Sequence, residues 1–231
     1  MRSRATRGPL LPHALGVALA VARKDLRTEW RGRELLPALA QFVALALVIA
    51  NFAFDLDRTS GPRISPGILW LVLVFAGLVV FGRTFAGEKE QGSLEAMLLT
   101  SASPAAIFTG KAVAAGLVLL ACEVLLMAGM AVFLGTPLSL AVVAIVLAST
   151  VGIAALGSFF AALAAQTRAR ELLLPVLVLP LWFPFVVIGG RAVQSAMGGG
   201  PIGEQPLLVL LDLGILFWIA ASLAARFVLD E

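Results

Sequence analysis

AAIFTGKAVAAGLVLLACEVLLMAGMAVFLGTPLSLAVVAIVLASTVGIAALGSFFAALAA, residues 105–165, is the stretch on which the fold turns. It contains two apolar runs, 105–134 and 137–165, each longer than the roughly 20 residues a helix needs to cross the hydrocarbon core of a bilayer. Only Gly135, Thr136 and Pro137 join them, so the two runs form a tight antiparallel hairpin. Four more runs of spanning length lie on either side: Leu35–Phe54, 66–85, 172–190 and 207–228. The chain is therefore expected to be all-α, a polytopic membrane protein with six transmembrane helices. Ser65-Pro66, Ser103-Pro104 and Thr136-Pro137 each set a capping hydroxyl before a proline at the first helical position, where the missing N–H costs nothing.

Composition agrees. Sixty per cent of the 231 residues are apolar, 13% are charged and the mean hydropathy is +1.00. A soluble domain has about 25% charged residues, so much of this apolar surface needs lipid as its solvent. Cys122 is the single cysteine, which removes disulfide frameworks and Cys-based metal sites within the chain, and His13, near the N-terminus, is the single histidine. The net charge of +3 does not point to nucleic acid, because the basic residues are distributed as a membrane topology requires.

That distribution sets the orientation. Fourteen of the seventeen Lys and Arg residues fall on one side: eight before residue 34, then Arg83, Lys89, Lys111, Arg168, Arg170 and Arg226. Arg58, Arg63 and Arg191 fall on the other. The positive-inside rule then predicts cytoplasmic termini in a bacterial inner membrane. The N-terminal segment could be read as a signal peptide ending in Ala-Val-Ala, but cleavage would send Arg23, Lys24, Arg27, Arg31 and Arg33 outward. The expected alternative is an amphipathic interfacial helix over 14–31. Leu15, Ala18, Ala22, Leu26 and Trp30 form its apolar face, with its cations near anionic lipid. Residues 1–13 then form a basic tail and 14–231 a single transmembrane domain.

Within the spans, Ala148, Gly152, Gly157, Ala161 and Ala165 permit close helix approach, either as generic packing or as a dimer seam. Pro175, Pro180 and Pro184 predict a kinked or partly unwound fifth span, followed by a short external helix or re-entrant hairpin over 189–206. Two acids lie inside predicted spans. Glu123 is midway along the third and Asp212 near the start of the sixth; an acid at such depth needs a partner, a proton or a wet cavity.

The longest internal loop on the basic side, about 86–104, is the most informative segment. Ser93 is placed to cap a short helix, Glu95 sits near its positive end, and Leu94, Met97 and Leu98 make an apolar face. A helix so short needs a partner surface, either the headgroup layer or a cytoplasmic protein.

Glu88 followed by Gly92-Ser93-Leu94-Glu95-Ala-Met97-Leu98 and the later Pro104 resembles the coupling-helix region of ABC-2-type permeases. Three segments narrow the likeness: Ser65-Pro66-Gly67-Ile68-Leu69-Trp70, Gly92-Ser93-Leu94-Glu95, and Leu177-Val178-Leu179-Pro180-Leu181-Trp182-Phe183-Pro184. Together they are similar to the CcmB family of haem-exporter permeases over nearly the whole chain. The chain departs from that family where Gly82 precedes Arg83, and no charge pair is expected there. The resemblance implies a subunit without catalytic centre, cofactor or metal. It would couple an ATP-binding subunit (CcmA-like) and a haem-handling membrane subunit (CcmC-like) to release of a haem-loaded periplasmic chaperone, and it would be dimeric within the complex. Glu88, Gly92, Ser93, Leu94, Glu95, Met97 and Leu98 would carry the ATPase contact.

The residues agree with a subunit that leaves ATP hydrolysis to a partner. The only Gly-Lys pair, Gly110-Lys111, has Ala105 where a phosphate-cradling loop needs its first glycine, and Ala112 after the lysine. An ABC-2 permease for another substrate, such as a lipid-linked glycan or a drug, is the alternative reading and shares the fold. An intramembrane enzyme built on Glu123 and Asp212 would lack a nucleophile motif. A membrane scaffold that transports nothing is the remaining reading.

Overall fold

The computed structural model describes residues 10–54, 61–85, 102–167, 169–199 and 204–229, and the regular elements among them are helices. They are α1 (Leu10–Gly32), α2 (Leu35–Phe54), α3 (Gly61–Thr84), α4 (Pro104–Phe133), α5 (Leu140–Ala165), α6 (Arg170–Met197) and α7 (Glu204–Leu229). Six of them, α2 to α7, are long and apolar enough to cross a membrane. The chain is a polytopic helical membrane protein. Its large apolar residues fill the core and also cover the perimeter, where Phe52, Val132 and Leu140 are at least 80% exposed. Water would penalise such a rim and lipid does not.

α5 is the most enclosed span and α7 the least. α5 packs on α3, α4, α6 and α7, while α4 also carries α1 and α2. Rings from α3 and α6 meet on α5. Trp182 of α6 lies against Gly77 of α3, meets Phe81 edge-on at 5.8 Å and donates its indole N–H to the Ile153 carbonyl at 3.2 Å. Phe81 fills the space left by Gly157, Phe185 that left by Gly152, and Trp70 that left by Gly189. Gly152 and Gly157 of α5 are thus consumed by rings of its own chain, as close packing without hydrophobic drive between spans requires. That answers the choice between packing and a dimer seam for Gly152 and Gly157.

Several boundaries differ from expectation. Ser103 caps α4, accepting from the Ala106 N–H at 3.3 Å. Ser65 does not cap. α3 begins at Gly61, Pro66 lies inside it, and the Ser65 hydroxyl donates to the Gly61 carbonyl at 2.7 Å. Thr136 does not cap either; α5 starts later, with Ser139 accepting from the Val142 N–H. Gly135 turns the hairpin at φ 61°, a conformation glycine adopts without steric cost. α6 runs without unwinding through Pro175, Pro180 and Pro184, and it continues past Gly190 to Met197. Of the external segment expected over 189–206, residues 189–197 are therefore the end of a span.

Candidate functional site

At the end of the bundle where α3 stops and α4 starts, Lys111 is 1% exposed. Burying an ammonium costs several kcal/mol unless it is paired and its donors are used. Lys111 Nζ donates to Asp25 Oδ2 of α1 at 3.2 Å and to the Thr84 carbonyl at 3.1 Å, and it stands 5.0 Å from the Phe85 ring centre. Thr84 closes α3, so its carbonyl belongs to the last turn, which lacks helical partners and forms the negative end of the helix dipole. One side chain therefore joins α1, α3 and α4.

Gly110 explains how α1 comes so close. A Cβ there would strike the Ala18 carbonyl oxygen and the Val21 side chain, so the α1 backbone rests directly on α4. The Gly-Lys pair that lacks the setting of a nucleotide loop is a helix docking point. This revises the expected amphipathic face. Ala22, with Val21 and Asp25, turns toward α4, whereas Leu15 and Trp30 stay largely exposed. A cleft of about 300 Å³ opens beside the pair, between Asp25, Glu29, Leu35, Arg83, Thr84 and Lys111.

The turn from α1 to α2 is tied to the same place. Arg33 adopts φ 50°, uncommon for a residue with a side chain, and Glu29 accepts from the Leu35 N–H at 3.2 Å. Glu34 then pairs with Arg83 at 3.1 Å. A charge pair does form at Arg83, with a partner from the α1–α2 turn that local sequence gives no means of finding. Both side chains are more than half exposed, so the pair contributes little beyond orientation.

Phe85 leads straight into the segment expected to couple. Glu88, Gly92, Ser93, Leu94, Glu95, Met97 and Leu98 lie outside the described residues. What is described is the anchor before them, Thr84 and Phe85, and the restart after them at Ser103.

A second polar centre sits inside the bundle. Glu123 of α4 is 2% exposed, and its Oε1 lies 2.6 Å from Thr150 Oγ1 of α5. The same hydroxyl lies 2.9 Å from the Val146 carbonyl. A hydroxyl has one proton to donate, so Thr150 can serve only one of these oxygens; a proton on the carboxyl would serve the other contact. Glu123 Oε2 has no hydrogen-bond partner among the described residues. Asp212 is exposed on α7, so the two intramembrane acids are not equivalent. Among the described residues no group of three or more His, Cys, Asp or Glu side chains could hold a metal ion.

The family model described as CcmB protein matches residues 16–230. The chain is 31% identical over 212 residues to heme exporter protein B of Bradyrhizobium diazoefficiens, covering 89% of this chain and 94% of the relative. Heme exporter protein B of Rhodobacter capsulatus is 31% identical over 198 residues, 84% of this chain and 89% of the relative. That of Pseudomonas aeruginosa is 30% identical over 186 residues, 79% of each. The match takes in most of the docked helix α1, the Lys111 junction, the Glu123–Thr150 pair and every span, and on that extent the chain belongs to the CcmB protein family.

Proposed function

We infer that this chain is the membrane subunit of a haem export system for cytochrome c biogenesis, working as an ABC-type permease without a catalytic centre of its own. The observation that carries the reading is the family match over 16–230, supported by relatives named heme exporter protein B. ATP hydrolysis then belongs to a separate ATP-binding subunit, and haem handling to a further membrane subunit. Residues 14–231 act as one permease domain, dimeric within the complex, behind a basic tail over 1–13. Both termini face the cytoplasm, a reading supported by the fourteen-to-three asymmetry of basic residues.

On this topology the Lys111 junction lies at the cytoplasmic face. The loop over about 86–104 is the coupling element, with Leu94, Met97 and Leu98 in a groove of the ATPase and Glu88 and Glu95 at its rim. Ser93, next to Gly92, would cap the short helix expected there. Force on that segment would reach Thr84 and Phe85 first, and through Lys111 would reach α1 and α4 together. Glu123 and Asp212 are the intramembrane polar positions available to the transport step. The test is deletion of the gene, with complementation by tagged protein. Expected are loss of haem-stained c-type cytochromes on deletion, recovery on complementation, and co-purification of an ATP-binding subunit. Normal cytochrome c maturation in the deletion strain would overturn the function.

A further inference from the structure

The apolar face of α1 is divided. Ala18, Val21, Ala22 and Asp25 turn toward α4, as described above. Leu15, Leu19 and Trp30 stand on a neighbouring arc and are 70%, 72% and 74% exposed. Beside them a groove of about 710 Å³ runs between Leu19, Leu26 and Trp30 of α1 and Val113 and Leu117 of α4. Its remaining wall is cationic: Arg23, Arg27 and Arg31 follow one another at four-residue spacing, about 6 Å apart along the helix. Among the described residues no carboxylate lines it. The acids of α1 turn elsewhere, Asp25 to Lys111 and Glu29 to the Leu35 N–H.

We propose that this groove binds one anionic phospholipid, with its phosphate on Arg27 and the neighbouring arginines and one acyl chain along Val113 and Leu117. The charge and the shape both select this occupant. Guanidinium groups take phosphate oxygens through paired hydrogen bonds, and three of them in line leave a net positive wall that a zwitterionic headgroup neutralises less well. The trough beside them is apolar and continuous with spanning helix α4, so its filler is hydrocarbon at membrane depth. A basic helix merely adsorbed on a charged surface needs no trough and shows no stoichiometry. Here the lipid fills the space between α1 and α4 and holds the helix against the span that carries Lys111. The proposal depends on the chain being in a membrane, and on nothing about what is exported.

The test uses the full chain, delipidated in detergent, with phosphatidylglycerol or phosphatidylcholine added and bound lipid counted by native mass spectrometry. Wild type should saturate at one phosphatidylglycerol per chain and prefer it over phosphatidylcholine. Arg27→Gln with Arg31→Gln should weaken retention about tenfold. Leu117→Trp, which fills the trough and keeps every charge, should weaken it as well, while Arg191→Gln should not. Circular dichroism and gel filtration identify any variant that has failed to fold, and Val113→Phe, which narrows the trough from its other α4 residue and keeps every charge, is then the second variant, expected to weaken retention as well. Unsaturable binding, equal retention of both lipids, or loss with the arginine changes but not with Leu117→Trp would overturn the site. So would a groove that becomes protected from labelling only when a partner protein is present.

Discussion

Lys111 and Asp25 are 86 positions apart in the chain and 3.2 Å apart in the structure, with the lysine 1% exposed and the aspartate side chain 20% exposed. The two ends of this pair differ in what they leave behind when cut. Asp25→Asn leaves a buried ammonium without its carboxylate, which should cost about 3 kcal/mol, toward the low end for a broken buried pair because water reaches Asp25. Lys111→Met should cost less, since Asp25 keeps Lys24 at 2.9 Å. The double variant should be more stable than Asp25→Asn alone. Thermal denaturation in detergent measures all three; strict additivity would mean that the pair is not a coupled unit.

For the buried acid, Glu123→Gln should support more cytochrome c maturation than Glu123→Leu. Glutamine keeps a hydrogen-bonding group opposite Thr150, whereas leucine abandons that contact across α4 and α5. Haem-stained cytochrome yield, normalised to the amount of variant in the membrane, is the measurement. Equal yield and abundance for leucine and wild type would leave Glu123 with no role.

Topology is testable at Ser195, which is exposed near the end of α6. In a Cys122→Ala background, Ser195→Cys should react with a membrane-impermeant maleimide added to intact spheroplasts. Replacing Cys122 is mild because it is small and buried. Reaction only after the membrane is opened would invert the assignment.

The coupling segment has its own test. Leu94→Asp together with Leu98→Asp sets two carboxylates against an apolar groove and should abolish pull-down of the ATP-binding subunit while membrane insertion survives. Undiminished pull-down would reduce the expected 93–99 helix to a lipid-surface element. The coupling role would then pass to the segment around Gln166–Glu171.

Which parts of this molecule were legible follows from how far apart the interacting groups are. Span number and approximate position were readable because a bilayer imposes a length and an apolar character that one segment displays by itself. The boundaries at Ser65 and Thr136 were not legible because a hydroxyl before proline looks the same at a helix start, in the loop before one and inside one. Thr136 lies before α5 begins at Leu140, and Ser65 lies within α3. There the Ser65 hydroxyl engages the Gly61 carbonyl, a backbone acceptor four residues back. Glu123 stood out in an apolar run, but Thr150 did not, since a threonine in such a helix normally satisfies itself on the preceding turn, and Thr150 does that too. Lys111 shows in the sequence as one cation of the basic side and as half of a Gly-Lys pair that lacks a nucleotide loop. Its partners come from α1 and from the α3 terminus, and no local pattern links these.

The rings seated on glycines bear on how such a chain can diverge. Phe185 occupies the room of a side chain at Gly152, Phe81 that at Gly157, and Trp182 and Trp70 press on Gly77 and Gly189 in the same way. A lipid-facing leucine can drift to valine or phenylalanine alone, because fluid chains re-form around it. At a seated ring the change is concerted: a lineage that gains a methyl at Gly152 must shrink residue 185 almost at once or lose the α5–α6 contact. Substitution in this protein is thus free at the perimeter and paired at the centre, and compensating glycine-for-ring exchanges are the mark by which distant relatives of the same packing can be told apart.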